Sequence, residues 1–274
     1  MTHPFSYQGL RVVVTGASRG VGAALLDLLA ELDVAHVTAI DLNRPSGSHH
    51  AFLETDLSKE AAVRAAVTRI AGPVHVLFNN AGVADTQPPD TVLSVNYLAL
   101  RTLSEGLLDR MPEGSAIVNT ASTAGGLWRK RAKEINALLD VALADGWAAP
   151  LQWCNENLPT LGQSPYNFSK EVVVVHTFRS SRATMRRGVR TNVVCPGPID
   201  TPLLPEFRAT TSDKIVDWNI REMGGRAVRP REVATTLAFL GSPDASYLNG
   251  VSIDIDGGFN AAMATGQLDL SGRA

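Results

Sequence analysis

The sequence predicts an α/β protein: a doubly wound parallel sheet of about seven strands flanked by helices, with a partly helical insertion at about residues 127–163. Two observations predict it. Short β-branched apolar runs alternate with longer segments of helical period, and a glycine-rich turn joins the first run to the first helix. With 274 residues, 45% of them apolar, the chain can bury one sizeable core, so residues 1–274 are read as a single domain.

The elements follow in order. RVVVT at Arg11–Thr15 reads as a buried strand, and residues 21–32 place Leu25, Leu28, Leu29 and Leu32 at helical spacing. Strands are expected at residues 36–40 and near 51–53, and Ser58 is expected to cap a helix running to residue 71. Residues 74–78 and Ala116–Thr120 read as strands on either side of a long helical stretch from about 91 to 111. The later half predicts a helix at about 164–185, a strand at 190–195, a Pro-rich turn and a loop reaching about residue 229. A helix at 230–240 and a strand at 251–255 close the pattern. The insertion starts helix-like (WRKRAKEINALLDVALADG) and ends in a looser stretch with Trp153 and Pro159. Roughly 35 residues are too few for an independent core.

Composition narrows the partners. A formal charge of -2, from 25 basic and 27 acidic residues, offers no broad attraction for nucleic acid or anionic lipid, so a small molecule is the expected partner. Cys154 and Cys195 stand far apart and outside any metal-ligand spacing, which predicts no disulfide, no metal and a reducing cytoplasmic setting. Residues 1–6 lack the basic-then-apolar order of an export signal, and no run approaches the ~20 apolar residues of a membrane span.

The candidate cofactor end is TGASRGVG at residues 15–22, with Gly16, Ser18, Arg19, Gly20, Val21 and Gly22 set between strand and helix. Glycines let the backbone approach a pyrophosphate, and free amides at the positive helix end face its charge. Asp41 ends the second strand about 20 residues on, where a carboxylate accepts from a ribose and repels a 2'-phosphate, so NAD is favoured. Arg19 and Arg44 argue for NADP if either points into the pocket, and are otherwise solvated surface arginines. Asp56 and Leu57 suit an adenine edge, although Asp56 equally suits a helix cap. Asn79-Asn80-Ala81-Gly82 falls at the carboxyl edge of the sheet, where small residues let the chain pass close to a ligand and the asparagines can tie strands together.

At the candidate catalytic end, YNFSK places Tyr166 and Lys170 on one helical face. A phenol of pKa ~10 is a poor base at neutral pH, but a neighbouring ammonium and an oxidised nicotinamide would both favour the phenolate and make a usable acid/base. Ser122 ends the 116–120 strand, and Asn96 lies in the helix before it.

In TGASRGVG, NNAG at 79–82, Asn96, Ser122, YNFSK, PGPIDTP at 196–202 and IDGG at 255–258, the chain resembles the short-chain dehydrogenase/reductase family over nearly its whole length. The resemblance implies a Rossmann-type fold and a nicotinamide-dependent oxidoreductase. Tyr166 would transfer the proton, Ser122 would hydrogen-bond the substrate oxygen, Lys170 would hold the nicotinamide ribose, and Asn96 would secure a relay water. Pro196, Gly197, Ile199 and Thr201 would embrace the nicotinamide. Family members often pair through the tyrosine helix and the one before the serine strand, which implies a homodimer or homotetramer.

Most members place the serine about a dozen residues before the tyrosine, whereas here the offset is 166 minus 122, or 44. A smaller group carries a similar insertion, including bacterial 3-alpha-hydroxysteroid dehydrogenase/carbonyl reductase and coniferyl-alcohol dehydrogenase. SVNY at 94–97, PGPIDTPLL at 196–204 and ASYLNGVSIDIDGG at 245–258 look like that group. The insertion leaves and rejoins the sheet beside the reaction centre, so Trp128, Trp147 and Trp153 can cover a ring-bearing substrate or simply pack. Residues 203–225 form a second candidate lid. A hydrophobic alcohol or ketone is expected, a hydroxysteroid or an aromatic or cyclic alcohol. The alternative is a catalytically idle dinucleotide-binding redox sensor or scaffold.

Overall fold

A computed structural model describes residues 5–268. The strands are β1 Arg11–Thr15, β2 His36–Asp41, β3 Ala51–Glu54, β4 Val76–Asn79, β5 Ala116–Thr120, β6 Arg190–Pro196 and β7 Ser252–Ile255. They form one parallel seven-stranded sheet in the order β3-β2-β1-β4-β5-β6-β7. The order reverses between β1 and β4, the switch point outside whose carboxyl ends such sheets bind ligands. Residues 1–4 and 269–274, which entered the reading of the termini, lie outside the described residues.

The helices are α1 Gly20–Glu31, α2 Glu60–Arg69, α3 Pro89–Leu93, α4 Ala99–Leu107, α5 Ala132–Asp140, α6 Ala148–Leu161, α7 Pro165–Met185, α8 Leu204–Thr211, α9 Asp213–Glu222, α10 Pro230–Gly241 and α11 Phe259–Ala264. Alternation along the strands sorts two cores. Val12 and Val14 face one, with Leu25 and Leu29 of α1 and Val233 and Leu237 of α10. Val13 faces the other, with Val63 of α2, Leu103 of α4 and Phe168 of α7. Each fully buried side chain of this size contributes about 1.5–3 kcal/mol of transfer free energy. No helix among the described residues is long and apolar enough to cross a membrane.

Four local expectations need correction. Ser58 caps no helix: its N–H and hydroxyl both donate to Asp56 Oδ1, at 2.9 and 2.7 Å, and this turn delays α2 until after Lys59. The single helix expected over 91–111 is broken into α3, a π turn at Ser94–Leu98, α4 and a short 3-10 turn at Leu108–Arg110. The loop to residue 229 contains α8 and α9. The looser stretch around Trp153 is α6, which runs through Pro159 and ends at Gly162 with φ of 60°. Cys154 and Leu158 bury against the core and Trp153 stacks on Phe168 at 6.2 Å. That burial outweighs the roughly 3 kcal/mol that an interior proline costs a helix.

The insertion lies on α7. A 3-10 segment at Thr123–Arg131 crosses it so closely that a Cβ on Gly125 would stand 2.8 Å from the Lys170 carbonyl oxygen. Further along, Arg179 of α7 donates to Asp140 and Asn136 of α5 at 2.7 and 3.1 Å. Val172, Val173, Val174 and Val175 are all buried inside the chain, so the apolar run offers no outer surface. Trp147 is likewise a packing residue, its indole donating to Thr102 Oγ1 at 3.0 Å.

Candidate active site

The first turn is built by close approach. A Cβ on Gly16 would meet the Ala81 backbone at 2.7 Å, and one on Gly22 would meet the Gly16 carbonyl oxygen at 1.9 Å. No larger residue lets this turn lie against both its own helix and the strand beside it. Gly22 is buried behind the turn and is not among the residues that line the cleft. The helix start is left open for an anion, because α1 has neither a side-chain cap nor an acidic residue in its first turn.

The cleft this turn belongs to has a volume of about 1300 Å³ and runs along the carboxyl edge of the sheet. Gly16, Ser18, Arg19, Gly20 and Val21 line it, as do Asp41, Asp56, Leu57, Asn80, Ala81 and Gly82. Asp41 is fixed at the end of β2, its Oδ2 accepting from Ser18 N at 2.9 Å and its Oδ1 from Asn43 N at 3.1 Å. Arg44 is turned away, over the Phe52 ring at 4.9 Å, whereas Arg19 stays in the wall. The Asn80 amide donates to the Thr15 and Gly16 carbonyls, both at 3.3 Å, which ties β4 to β1. These groups fit a dinucleotide: free amides at one point, a fixed carboxylate further along, and small residues between.

Ser122, Tyr166, Lys170, Pro196, Gly197, Ile199 and Thr201 line the same cleft. Ser122 follows β5, accepts from Ala124 N at 3.2 Å and donates to the Pro196 carbonyl at 3.4 Å. Tyr166 sits in the first turn of α7, whose start is capped twice. Ser164 Oγ accepts from Asn167 N at 3.1 Å, and Asp85 Oδ1 accepts from Tyr166 N at 2.8 Å. Lys170 Nζ lies 5.6 Å from the Tyr166 ring centre and donates to the Thr120 carbonyl at 3.2 Å.

Asn96 stands behind this group rather than in the cleft wall. It lies in the π turn and is held in three directions: Oδ1 accepts from Val83 N at 2.9 Å, and Nδ2 donates to the Val83 carbonyl at 3.1 Å and to Ser169 Oγ at 3.0 Å. Gly82 leaves an opening toward it, since a Cβ there would meet both Lys170 Nζ, at 3.3 Å, and Asn96 Oδ1, at 3.4 Å.

The electrostatics differ from the expectation drawn from a free ammonium beside a phenol. Burial pushes the Tyr166 phenol up to about 12; the Ser122 hydrogen bond pulls it down, and the Asp85 charge opposes ionisation. Burial also pulls the Lys170 ammonium down to about 8. Burial thus favours the protonated phenol at neutral pH.

Phe207 of α8 completes the site, with its ring edge-on to Tyr166 at 4.9 Å. Trp128, Phe178, Leu203, Leu204 and Met263 extend the apolar wall. Trp147 and Trp153 do not reach it. Sequence reasoning missed Asp85 and Leu42, an exposed leucine just after Asp41, and reached Phe207 only as part of the lid expected over 203–225. The only sequence signal for Leu42 was its place beside the strand-ending carboxylate.

Comparison with known proteins finds relatives over most of the chain. Residues 11–132 match the short chain dehydrogenase family model, and residues 156–260 match one described as enoyl-(acyl carrier protein) reductase. Coniferyl-alcohol dehydrogenase of Pseudomonas sp. (strain HR199 / DSM 7063) is 33% identical over 252 residues, 90% of this chain and 95% of that protein. The 3-alpha-hydroxysteroid dehydrogenase from Pseudomonas sp. B-0831, solved with NADH, is 31% identical with a TM-score of 0.76, covering 93% of this chain and 98% of that one. A short chain dehydrogenase from Burkholderia cenocepacia J2315, solved with NADP, is 27% identical with a TM-score of 0.69, covering 93% and 99%.

Proposed function

Because the chain belongs to the short-chain dehydrogenase/reductase family of oxidoreductases, we propose that it interconverts a hydrophobic alcohol and its ketone or aldehyde, using NAD(H), with Tyr166 as acid/base. The observation that carries this reading is the single cleft that has Asp41 and the glycine turn at one end and Tyr166, Ser122 and Lys170 at the other. Bound along it, the nicotinamide dinucleotide supplies or accepts hydride.

The remaining work falls to the chain. Gly16, Ser18, Arg19, Gly20 and Val21 would hold the pyrophosphate. Asp41 would take the adenosine ribose, and Asp56 and Leu57 the adenine edge. Lys170 would take the second ribose, with Asn80, Ala81, Gly82, Pro196, Gly197, Ile199 and Thr201 around the nicotinamide. In the reducing direction Ser122 donates to the carbonyl oxygen and the Tyr166 phenol gives that oxygen its proton. In oxidation Tyr166 must first lose its proton, and the Ser122 hydrogen bond lowers the cost. Asn96 fixes the backbone beneath, and a water at the Gly82 opening would join it to Lys170.

NAD is favoured over NADP because the Asp41 carboxylate is already held in place by two backbone amides. A hydroxysteroid or an aromatic or cyclic alcohol suits the wall of Phe207, Trp128 and Phe178, and the chain's similarity to a coniferyl-alcohol dehydrogenase and a 3-alpha-hydroxysteroid dehydrogenase points to the same class. A reducing cytoplasmic setting fits two separate, buried free thiols. Self-association as a homodimer or homotetramer belongs to the same proposal. With α7 covered by the insertion, its surface is to be sought at the open edge of β7.

The test is cofactor reduction by a panel of hydroxysteroids, cinnamyl-type alcohols and cyclic terpenols, each with NAD and with NADP. NADH formation with at least one alcohol, at higher kcat/KM than with NADP, is expected. Tight NAD binding without turnover of any panel member would favour the idle sensor.

A further inference from the structure

We propose that Arg131, Glu171 and Gln163 form a clamp that sets the insertion as a fixed wall of the substrate cleft and so decides how large an alcohol reaches Tyr166. The proposal rests on the reading of the site as a dehydrogenase. Glu171 follows Lys170 on α7, and its side chain is 1% exposed. A carboxylate in so dry a place needs a close hydrogen-bonding partner. Arg131, itself 13% exposed, supplies it in a two-pronged pair, Nε to Oε2 at 2.6 Å and Nη2 to Oε1.

The same guanidinium reaches further. Gln163, with its amide oxygen turned to Arg131, accepts from Nη1 and Nη2, both at 3.2 Å. Arg131 ends the 3-10 segment that starts after Ser122, and Gln163 immediately precedes Ser164, the cap of α7. One side chain therefore joins the insertion's entry, its exit and the helix of Tyr166 and Lys170. All three clamp residues line the cleft. Trp128, three residues before Arg131, is held edge-on to Phe178 at 5.6 Å and carries the same wall onward.

On this proposal a one-ring alcohol needs only the Tyr166 and Phe207 part of the cleft, whereas a multi-ring alcohol lies along the insertion wall as well. The clamp residues are thus positioning residues, acting through the insertion. The experiment compares wild type with Arg131→Met, Arg131→Lys and the milder Gln163→Leu. Probes are cyclohexanol, a 3-hydroxysteroid, NADH titration and amide hydrogen exchange across residues 123–163. In Arg131→Met, KM for the steroid rises at least about tenfold with kcat changed less than about threefold. KM for cyclohexanol and the NADH Kd stay within about twofold, and exchange in 123–131 quickens. Arg131→Lys, which keeps the charge without the fork, falls between, and Gln163→Leu gives a smaller change in the same direction. Equal changes for both alcohols, weakened NADH binding, or unchanged exchange would overturn the clamp. If wild type oxidises neither alcohol, the dehydrogenase reading fails only when every other alcohol of the wider panel is also refused. Exchange then decides the clamp alone: faster exchange in 123–131 of Arg131→Met or Gln163→Leu upholds it, and wild-type exchange in both overturns it.

Discussion

Tyr166 and Asp41 stand at opposite ends of one cleft, and each draws its role from what surrounds it. Burial keeps the phenol protonated, and the Ser122 hydrogen bond is what lowers the cost of losing that proton. Asp41 matters through position: two backbone amides fix its carboxylate at the end of β2, and the NAD preference proposed above rests on that placement. Asp41→Ala is expected to lower the ratio of NAD to NADP kcat/KM at least about tenfold. An unchanged ratio would mean that Arg19 or another group sets the preference. These residues were legible in the sequence because short spacing carries them: glycines in one turn, a carboxylate at a strand end, a tyrosine and lysine one helical turn apart. Asp85 was not, and Phe207 was legible only within a candidate lid. Asp85 reaches the backbone of Tyr166 across 81 residues, and Phe207 comes from a different helix altogether, so no local pattern reports either.

At the scale of elements, the strand-turn-helix unit at β1 and α1 and the start of α7 do most to aim the chemistry. Gly22→Ala would drive a Cβ into the Gly16 carbonyl and force α1 off β1. A lower melting temperature and an NADH Kd raised at least about tenfold are expected; a variant that melts and binds like wild type would show that the turn gives way freely. Asp85→Ala removes one of two caps on α7, worth about 1 kcal/mol, and is expected to lower kcat more than it raises KM. A normal kcat would mean that Ser164 alone holds Tyr166 in place. The sheet strands were legible to within two residues because β-branched runs bounded by turns have few other uses. What the sequence hid were competitions. Pro159 reads as a breaker, yet burial of Cys154 and Leu158 carries α6 through it, and Ser58 reads as a cap, yet Asp56 captures it first.

For the whole molecule, the insertion changes what α7 presents. Its valines are interior, its outer side carries α5, and its catalytic face forms one wall of the cleft. The same burial leaves a mark on stability. His176 of α7 packs edge-on to Tyr97 at 5.8 Å, and burial, with the charges of Arg101 and Arg179, holds it down at about 3. In the unfolded chain it titrates near ~6.5, so the unfolded state takes up the proton first. The stability this group contributes is full above about pH 6.5 and is lost as pH falls toward 3. The urea midpoint should drop between pH 7 and 5, and the drop should shrink in His176→Asn; an equal drop in both would place the linkage elsewhere.

The claim that Tyr166 moves the proton is tested most directly by Tyr166→Phe, assayed on the alcohol that wild type oxidises best. The substitution removes one hydroxyl and leaves the ring against Phe207. The expected result is a loss of about 10²–10⁴ in kcat, with NADH bound within about threefold of wild-type affinity. Turnover at the wild-type rate with cofactor bound would contradict the account.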